Sequence, residues 1–172
     1  CRFRAMAGDE FEKVELPALE QLQSLGWTYI KGEDLSPDNS NERSSFKDVV
    51  LEERLATNIK RINPWISDQN LQKVVKDLTK TQYTNLIEAN QAIWTTINQC
   101  VSVMQDLGKG NKGQTVHIID FANPENNEFV CTNQFKVSGV NQNIIPDIIL
   151  FVNGMPLAVI ECKSPYITNP ME

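Results

Sequence analysis

Apolar residues recur at helical spacing through most of the first 107 positions, and they gather into short β-branched runs after position 115. Between residues 10 and 25, Phe11, Val14, Leu19, Leu22 and Leu25 fall near a helical period that stops at Gly26. Pro17 fits only a first turn, so this helix is predicted to begin near Glu15 or Leu16. Residues 31–45 are polar and turn-rich, which predicts a loop. Leu51, Leu55 and Ile59 recur every fourth position, predicting a helix over residues 45–62 that Asn63-Pro64 ends. Ser67-Asp68 can cap a further helix carrying Leu71, Val74, Val75 and Leu78. Ile93, Trp94, Ile97, Val101 and Met104 line one face of a longer one, predicted over residues 86–107 and closed by Gly108.

The second half changes period. Residues 115–121, 128–137, 144–152 and 156–163 read as four strands, with Asn123-Pro124, Ser138-Gly139 and Asn153-Gly154 as the turns between them. The last two are apolar at nearly every position, the pattern of strands buried on both faces. Helices followed by strands predict an α/β fold, with helices packed on a mixed central β-sheet in a single domain over residues 1–172. The chain shows no internal repeat and no low-complexity segment.

Three charges interrupt the apolar run of the last two strands: Asp147, Glu161 and Lys163. A carboxylate in a central strand is costly to bury unless something pairs with it, and two neighbouring carboxylates repel unless a cation lies between them. Magnesium, a hard ion bound through oxygen, suits such a pair. Lys163 stands two residues beyond Glu161 and so projects from the same side of a strand, where it can assist an attacking water or offset charge on a phosphate. Together these groups would make a phosphodiester-hydrolysing site. The plainer reading is a Glu161–Lys163 surface pair at a strand end, with Asp147 following a turn proline.

Asn153-Gly154 is the strongest short hairpin signal and makes register decisive. A strict two-residue turn pairs Val152 with Met155 and hence Asp147 with Ile160, leaving Glu161 on the other face. A shift of one residue sets Asp147 opposite Glu161. The chemistry therefore requires an irregularity, for which Pro146 and Pro156 are the natural markers.

Composition narrows the classes. Of 172 residues, 41% are hydrophobic and 22% charged, the range of ordinary soluble domains. No apolar run is long enough to span a bilayer, and no membrane role is expected. A chain opening on Cys1 is expected to be a piece of a longer polypeptide. Cys1, Cys100, Cys131 and Cys162 are scattered and the only histidine is His117, which argues against a zinc site and a disulfide framework and for a reducing, cytoplasmic setting. The net charge of −6 argues against a freestanding high-affinity DNA binder, though other domains or subunits can hold DNA for an acidic nuclease.

The strings VHIIDFANPENNEFVCTNQFKV and PDIILFVNGMPLAVIECKSP, within residues 115–165, resemble the N-terminal region of the restriction (R) subunits of type I restriction enzymes. VELPALEQLQSLGW and LEERLATNIKRINP are similar too, and the likeness runs through most of the chain in the family's order. The resemblance implies a restriction-endonuclease-like PD-(D/E)xK core and a magnesium-dependent DNA endonuclease. Asp147 and Glu161 would be metal ligands, the Cys162 carbonyl would face the metal, and Lys163 would be the catalytic lysine. The family also places an acid on the first helix. Glu15 occupies the matching place, with Glu12 and Glu20 as competitors, and Pro17 departs from the regular helix expected there. Double-stranded DNA and the methylation and specificity subunits would be the partners. ATP and S-adenosylmethionine would serve only the full complex. The family's Gln-x-x-x-Tyr element and a Gly-x-x-x-x-Gly-Lys-Ser/Thr phosphate loop are not found in these residues, and motor domains are expected downstream.

Other features take plainer readings. GKGNKG at residues 108–113 reads as a flexible turn, with Lys109 and Lys112 as lesser candidates for phosphate contact. Trp27, Trp65 and Trp94 read as packing residues, His117 as structural or exposed, and Glu52, Glu53, Lys60 and Arg61 as a solvated face; Arg54 and Arg61 are also open to a DNA-facing role. Against the enzyme stands a second hypothesis, a catalytically inactive nuclease-fold module for DNA contact or subunit docking. Retention of Asp147, Glu161 and Lys163 separates the two.

Overall fold

The computed structural model describes residues 11–79, 86–139 and 142–163. The chain divides into two compact units. The first comprises Cys1–Val49, Phe129–Phe151 and Pro156–Glu172, and the second Val50–Glu128 with the turn Val152–Met155.

The first unit begins with a π-helical turn, Phe11–Glu15, that runs into helix α1, Leu16–Ser24. Pro17 sits in the first turn of α1, where its missing N–H costs no intrahelical bond. A strand that the sequence reading left unassigned follows, β1 at Thr28–Lys31. It pairs in parallel with β4, Phe129–Asn133, setting Tyr29 opposite Cys131 and Lys31 opposite Asn133. Strands β7, Ile148–Val152, and β8, Met155–Ile160, complete a sheet of order β1-β4-β7-β8. The Gln134 N–H donates to the Asp147 carbonyl, and the Asn153 N–H donates to the Glu128 carbonyl, so β4 and β7 run antiparallel. The sheet is therefore mixed, as predicted.

One face of this sheet carries Cys131, Ile148 and Cys162, packed with Leu19 of α1; Val14, Leu22, Trp27, Tyr29, Leu150 and Ile160 close around them. Burial of a side chain such as Leu19 contributes about 1.5–3 kcal/mol. Phe135 and Phe151 meet edge to face at 5.4 Å elsewhere in the unit. Burial pushes the Cys131 thiol above its usual range. Arg43 is buried in the 32–50 loop, with its guanidinium 3.9 Å over the Phe135 ring. It donates to the carbonyls of Asp48, Phe46 and Lys136 and so ties the loop to the chain following β4. A short ribbon joins β5, Val137–Ser138, to β6, Asn143–Ile144.

The second unit packs helix α2, Glu52–Ile62, on α3, Asp68–Thr79. Acids in the first turn of α2 and bases in its last complement the helix dipole. This helix was predicted from residue 45 but begins at Glu52. The Asp48 carboxylate accepts the Ser45 N–H at 2.8 Å, giving that stretch a local turn that competes with helix. The Ser67 hydroxyl accepts the Asn70 N–H at the start of α3, the predicted cap. Replacing Ser67 with alanine is expected to cost about 1 kcal/mol. A urea midpoint unchanged in the S67A chain would show that the cap contributes nothing.

Helix α4 spans Leu86–Gln99, not the predicted 86–107. Cys100 adopts φ +60°, which stops the helix, and Val101–Asp106 is instead strand β2. It pairs antiparallel with β3, Asn111–Val116, around a turn containing Gly108 and Gly110. The 108–113 segment is thus a hairpin tip, with Lys109 and Lys112 exposed on it. The predicted strand at 115–121 correspondingly begins earlier and ends at Val116. Trp94 departs from its predicted packing role, being 68% exposed. Arg54 pairs with Glu128 at 2.6 Å, and Arg61 donates to Asn58 and to the Asn126 carbonyl.

Past β3 an asparagine-rich loop replaces regular structure. Asn127 donates to the Asp120 and Pro124 carbonyls, and buried Asn153 donates to the Ile118 carbonyl and to Asn127. The Asn126 side chain and the Asn123 and Ala122 N–H groups hold the Asp120 carboxyl below its usual range.

Candidate functional site

The hairpin of β7 and β8 turns on Asn153 and Gly154, both with positive φ, the pairing characteristic of a tight two-residue turn. From a Val152–Met155 pair, a regular ladder would set Ile148 opposite Val159 and turn Ile160 to the other face. Yet Ile148, Leu150, Ile160 and Cys162 share one hydrophobic cluster. A one-residue irregularity between the turn and Ile160 would account for this shared cluster and would set Asp147 opposite Glu161. The two segments also touch: the Cys162 N–H donates to Asp147 Oδ2 at 2.7 Å.

Alternation then separates the remaining groups. Cys162 is 5% exposed in the core, while Glu161 and Lys163 on either side of it are exposed. Asp147 is half-buried in the bend before β7, where Pro146 precedes it. The sequence had suggested two strands buried on both faces. That holds for β7, but β8 is an edge strand with Leu157, Ala158 and Val159 exposed.

Glu15 comes from the first helical segment. It is 4% exposed, whereas Glu12 and Glu20 lie in solvent, so burial distinguishes the three acids that the sequence left open. Asn133 Nδ2 donates to Glu15 Oε1 at 2.8 Å, and the Tyr29 hydroxyl donates to Asn133 Oδ1 at 2.7 Å. Burial, and secondarily the charge of Glu15, push the Tyr29 hydroxyl above its usual range. Asn133 ends β4, and the next residue, Gln134, donates its N–H to the Asp147 carbonyl at 3.3 Å. One end of the sheet thus gathers Glu15, Asn133, Asp147 and the Glu161–Lys163 segment. Sequence reasoning missed Tyr29 and Asn133; a polar residue closing an otherwise apolar strand was the available signal.

No group of three or more His, Cys, Asp or Glu side chains forms a metal cage among the described residues. Magnesium does not require one, since it commonly takes one or two carboxylates and keeps waters or substrate oxygens for the rest. Asp147 and Glu161 supply that donor chemistry on adjoining segments, so the residues present fit such an ion. Zinc-type ligation does not fit, because Cys131 and Cys162 are packed in the core.

The profile of the family described as type I restriction enzyme R protein N terminus matches residues 9–172. The chain belongs to that family. It is 36% identical over 154 residues to the type I restriction enzyme HindI endonuclease subunit of Haemophilus influenzae. It is 34% identical over 155 residues to a Methanocaldococcus jannaschii protein named as the MjaIXP endonuclease subunit of a type I restriction enzyme. Each match takes in 88% of this chain and 15% of the relative's length, so this R-protein N terminus spans about one-seventh of the proteins it matches. Among the described residues no helix is long and apolar enough to cross a membrane.

Proposed function

We propose that this chain is the DNA-cleaving domain of a type I restriction enzyme R subunit, a magnesium-dependent endonuclease on a PD-(D/E)xK core. The observation that carries the reading is the Asp147–Cys162 contact, which holds a half-buried carboxylate against the Glu161–Lys163 strand end of a mixed sheet. Asp147 and Glu161 would hold the ion, with the Cys162 carbonyl next to them. Bound magnesium would supply Lewis-acid stabilisation of a phosphodiester and a more acidic water. Lys163, exposed at the end of the segment, offers positive charge to the phosphate. Glu15 adds a buried acid at the same end of the sheet.

The substrate is double-stranded DNA. The methylation and specificity subunits supply the binding surface that a net charge of −6 does not. ATP and S-adenosylmethionine act elsewhere in that assembly. A non-catalytic docking module would not need to retain all of Asp147, Glu161 and Lys163.

Asp147→Asn in the assembled enzyme tests the reading. The amide keeps the shape and can still accept the Cys162 N–H, but it withdraws the charge that a cation requires. Plasmid cleavage is expected to fall by at least about 10²-fold, with subunit assembly and DNA binding retained. Cleavage at the wild-type rate would remove Asp147 from the site and the reading with it.

A further inference from the structure

We infer that the tip of the β2–β3 hairpin contacts the backbone of duplex DNA through Lys109 and Lys112. This rests on the reading above that duplex DNA is the substrate. The hairpin is an antiparallel ladder that runs from Val101 opposite Val116 to Asp106 opposite Asn111. Gln105 anchors it to the start of α3. The Gln105 side-chain oxygen accepts the Ser67 N–H and the Asn70 amide, and its nitrogen donates to the Trp65 carbonyl. Asn70 donates to the Met104 carbonyl as well. The register sets Gln105 opposite Lys112, so that lysine springs from a held point of the ribbon. Beyond it the chain stands clear. Residues 106–113 are all exposed, and a Cβ added at Gly108 or Gly110 would meet nothing within 4 Å.

Charge and composition at this tip suit phosphate. Residues 107–119 contain no acid, in a chain whose net charge is −6. Asp106, just before them, turns its carboxylate to the Gly108 N–H at 2.7 Å. Among the described residues no ion pair engages Lys109 or Lys112. Two solvated lysines are the plain reading of any surface loop. This loop differs in that Gly-Lys-Gly-Asn-Lys-Gly carries no apolar side chain. Protein interfaces depend on aromatic and apolar anchors and are depleted in lysine, so the tip is poorly suited to a protein partner. A two-stranded ribbon fits the major groove of DNA. Lysines that neutralise phosphates release condensed counterions, which contributes affinity whatever the base sequence. The contact is local and adds to the binding surface of the other subunits.

The experiment uses the full-length R subunit, without Mg²⁺ or ATP, and a short fluorescent duplex of arbitrary sequence. Fluorescence anisotropy gives the affinity across a range of salt. Lys109→Ala combined with Lys112→Ala is expected to reduce the slope of log affinity against log salt by about 2, roughly one per phosphate contact. Binding is expected to weaken equally on duplexes of different sequence. Lys109→Arg combined with Lys112→Arg keeps both charges and is expected to bind as the wild type does. If circular dichroism shows the alanine pair unfolded, Lys109→Gln with Lys112→Gln is read in its place. An unmoved salt slope overturns the inference. So does lost affinity in the arginine pair, since charge would then not be what the tip supplies. If the alanine pair keeps its slope but fails to assemble with the methylation and specificity subunits, the tip is a protein contact and the inference is overturned. Asp147→Asn separates the two levels of argument. Cleavage lost in that variant, beside normal DNA binding by the alanine pair, leaves the nuclease reading without the hairpin contact. Wild-type cleavage by it, beside a reduced slope in the alanine pair, leaves the contact and removes the proposed site.

Discussion

Lys163→Ala in the assembled restriction enzyme is expected to remove DNA cleavage while ATP hydrolysis and translocation persist. Lys163 stands two residues beyond Glu161, and both side chains are exposed on either side of the buried Cys162. In the proposed reading its ammonium offsets the negative charge that a phosphate gains as its bond to oxygen breaks. Losing one such electrostatic contact costs about 10²–10³ in rate. The Asp147 and Glu161 carboxylates are untouched by the change, so metal binding is expected to survive it. Lys163→Arg is not expected to rescue, because a planar guanidinium cannot occupy the same point-charge position or give up a proton. Plasmid cleavage and ATPase activity measured on one preparation decide the matter. Wild-type cleavage by the alanine variant would reduce Lys163 to a surface charge.

The largest structural effect is expected at Gly154. Its φ is +84°, and an added Cβ would fall 2.6 Å from the Leu51 carbonyl oxygen and 2.8 Å from the Leu55 nitrogen. Its own carbonyl accepts the Leu51 N–H at 2.9 Å, so the turn is seated on the first turn of α2 by backbone contact. Alanine there meets both the left-handed backbone penalty and fixed backbone atoms, and the two together cost about 2–4 kcal/mol. That is a large share of a typical domain stability of about 5–15 kcal/mol. Urea unfolding of the G154A chain is expected to show a correspondingly lower midpoint. A loss below about 0.5 kcal/mol, the level of an ordinary surface change, would show that α2 yields to the turn. Gly32 presents a still closer approach without the left-handed backbone, since an added Cβ would meet the Asn133 carbonyl oxygen at 2.3 Å beside β1.

Much of the candidate site was legible in the sequence because charge in an apolar strand is conspicuous. Asp147, Glu161 and Lys163 stood out against Ile148–Val152 and the run before Glu161, and Asn153-Gly154 named the turn that joins them. The need for a register irregularity followed from counting alone, because strand side chains alternate with a period of two. The helices of residues 52–62 and 68–79 were readable from their fourfold spacing and from Ser67. Local signals failed where two structures competed for one segment. Val101 and Met104 continue a helical stripe, yet the backbone reverses at Cys100 and those residues pair with Val116 and Gly113. Helical and strand periods coincide over so short a run, and only a partner strand distinguishes them.

The sequence by itself thus determined the turn, the two-sided burial of β7 and the identity of three charged groups, because these depend on neighbours along the chain. The tertiary structure alone decided which first-helix acid is buried. Glu12, Glu15 and Glu20 are equivalent as residues, and only the meeting of the first helical segment with β1 and β4 buries Glu15 against Asn133. It also decided that Ile160 and Cys162 join the Leu19 cluster, because that packing depends on α1 covering the sheet. Tyr29 and Asn133 are 104 residues apart. Nothing local to either predicts their hydrogen bond, since it exists only once β1 lies parallel to β4.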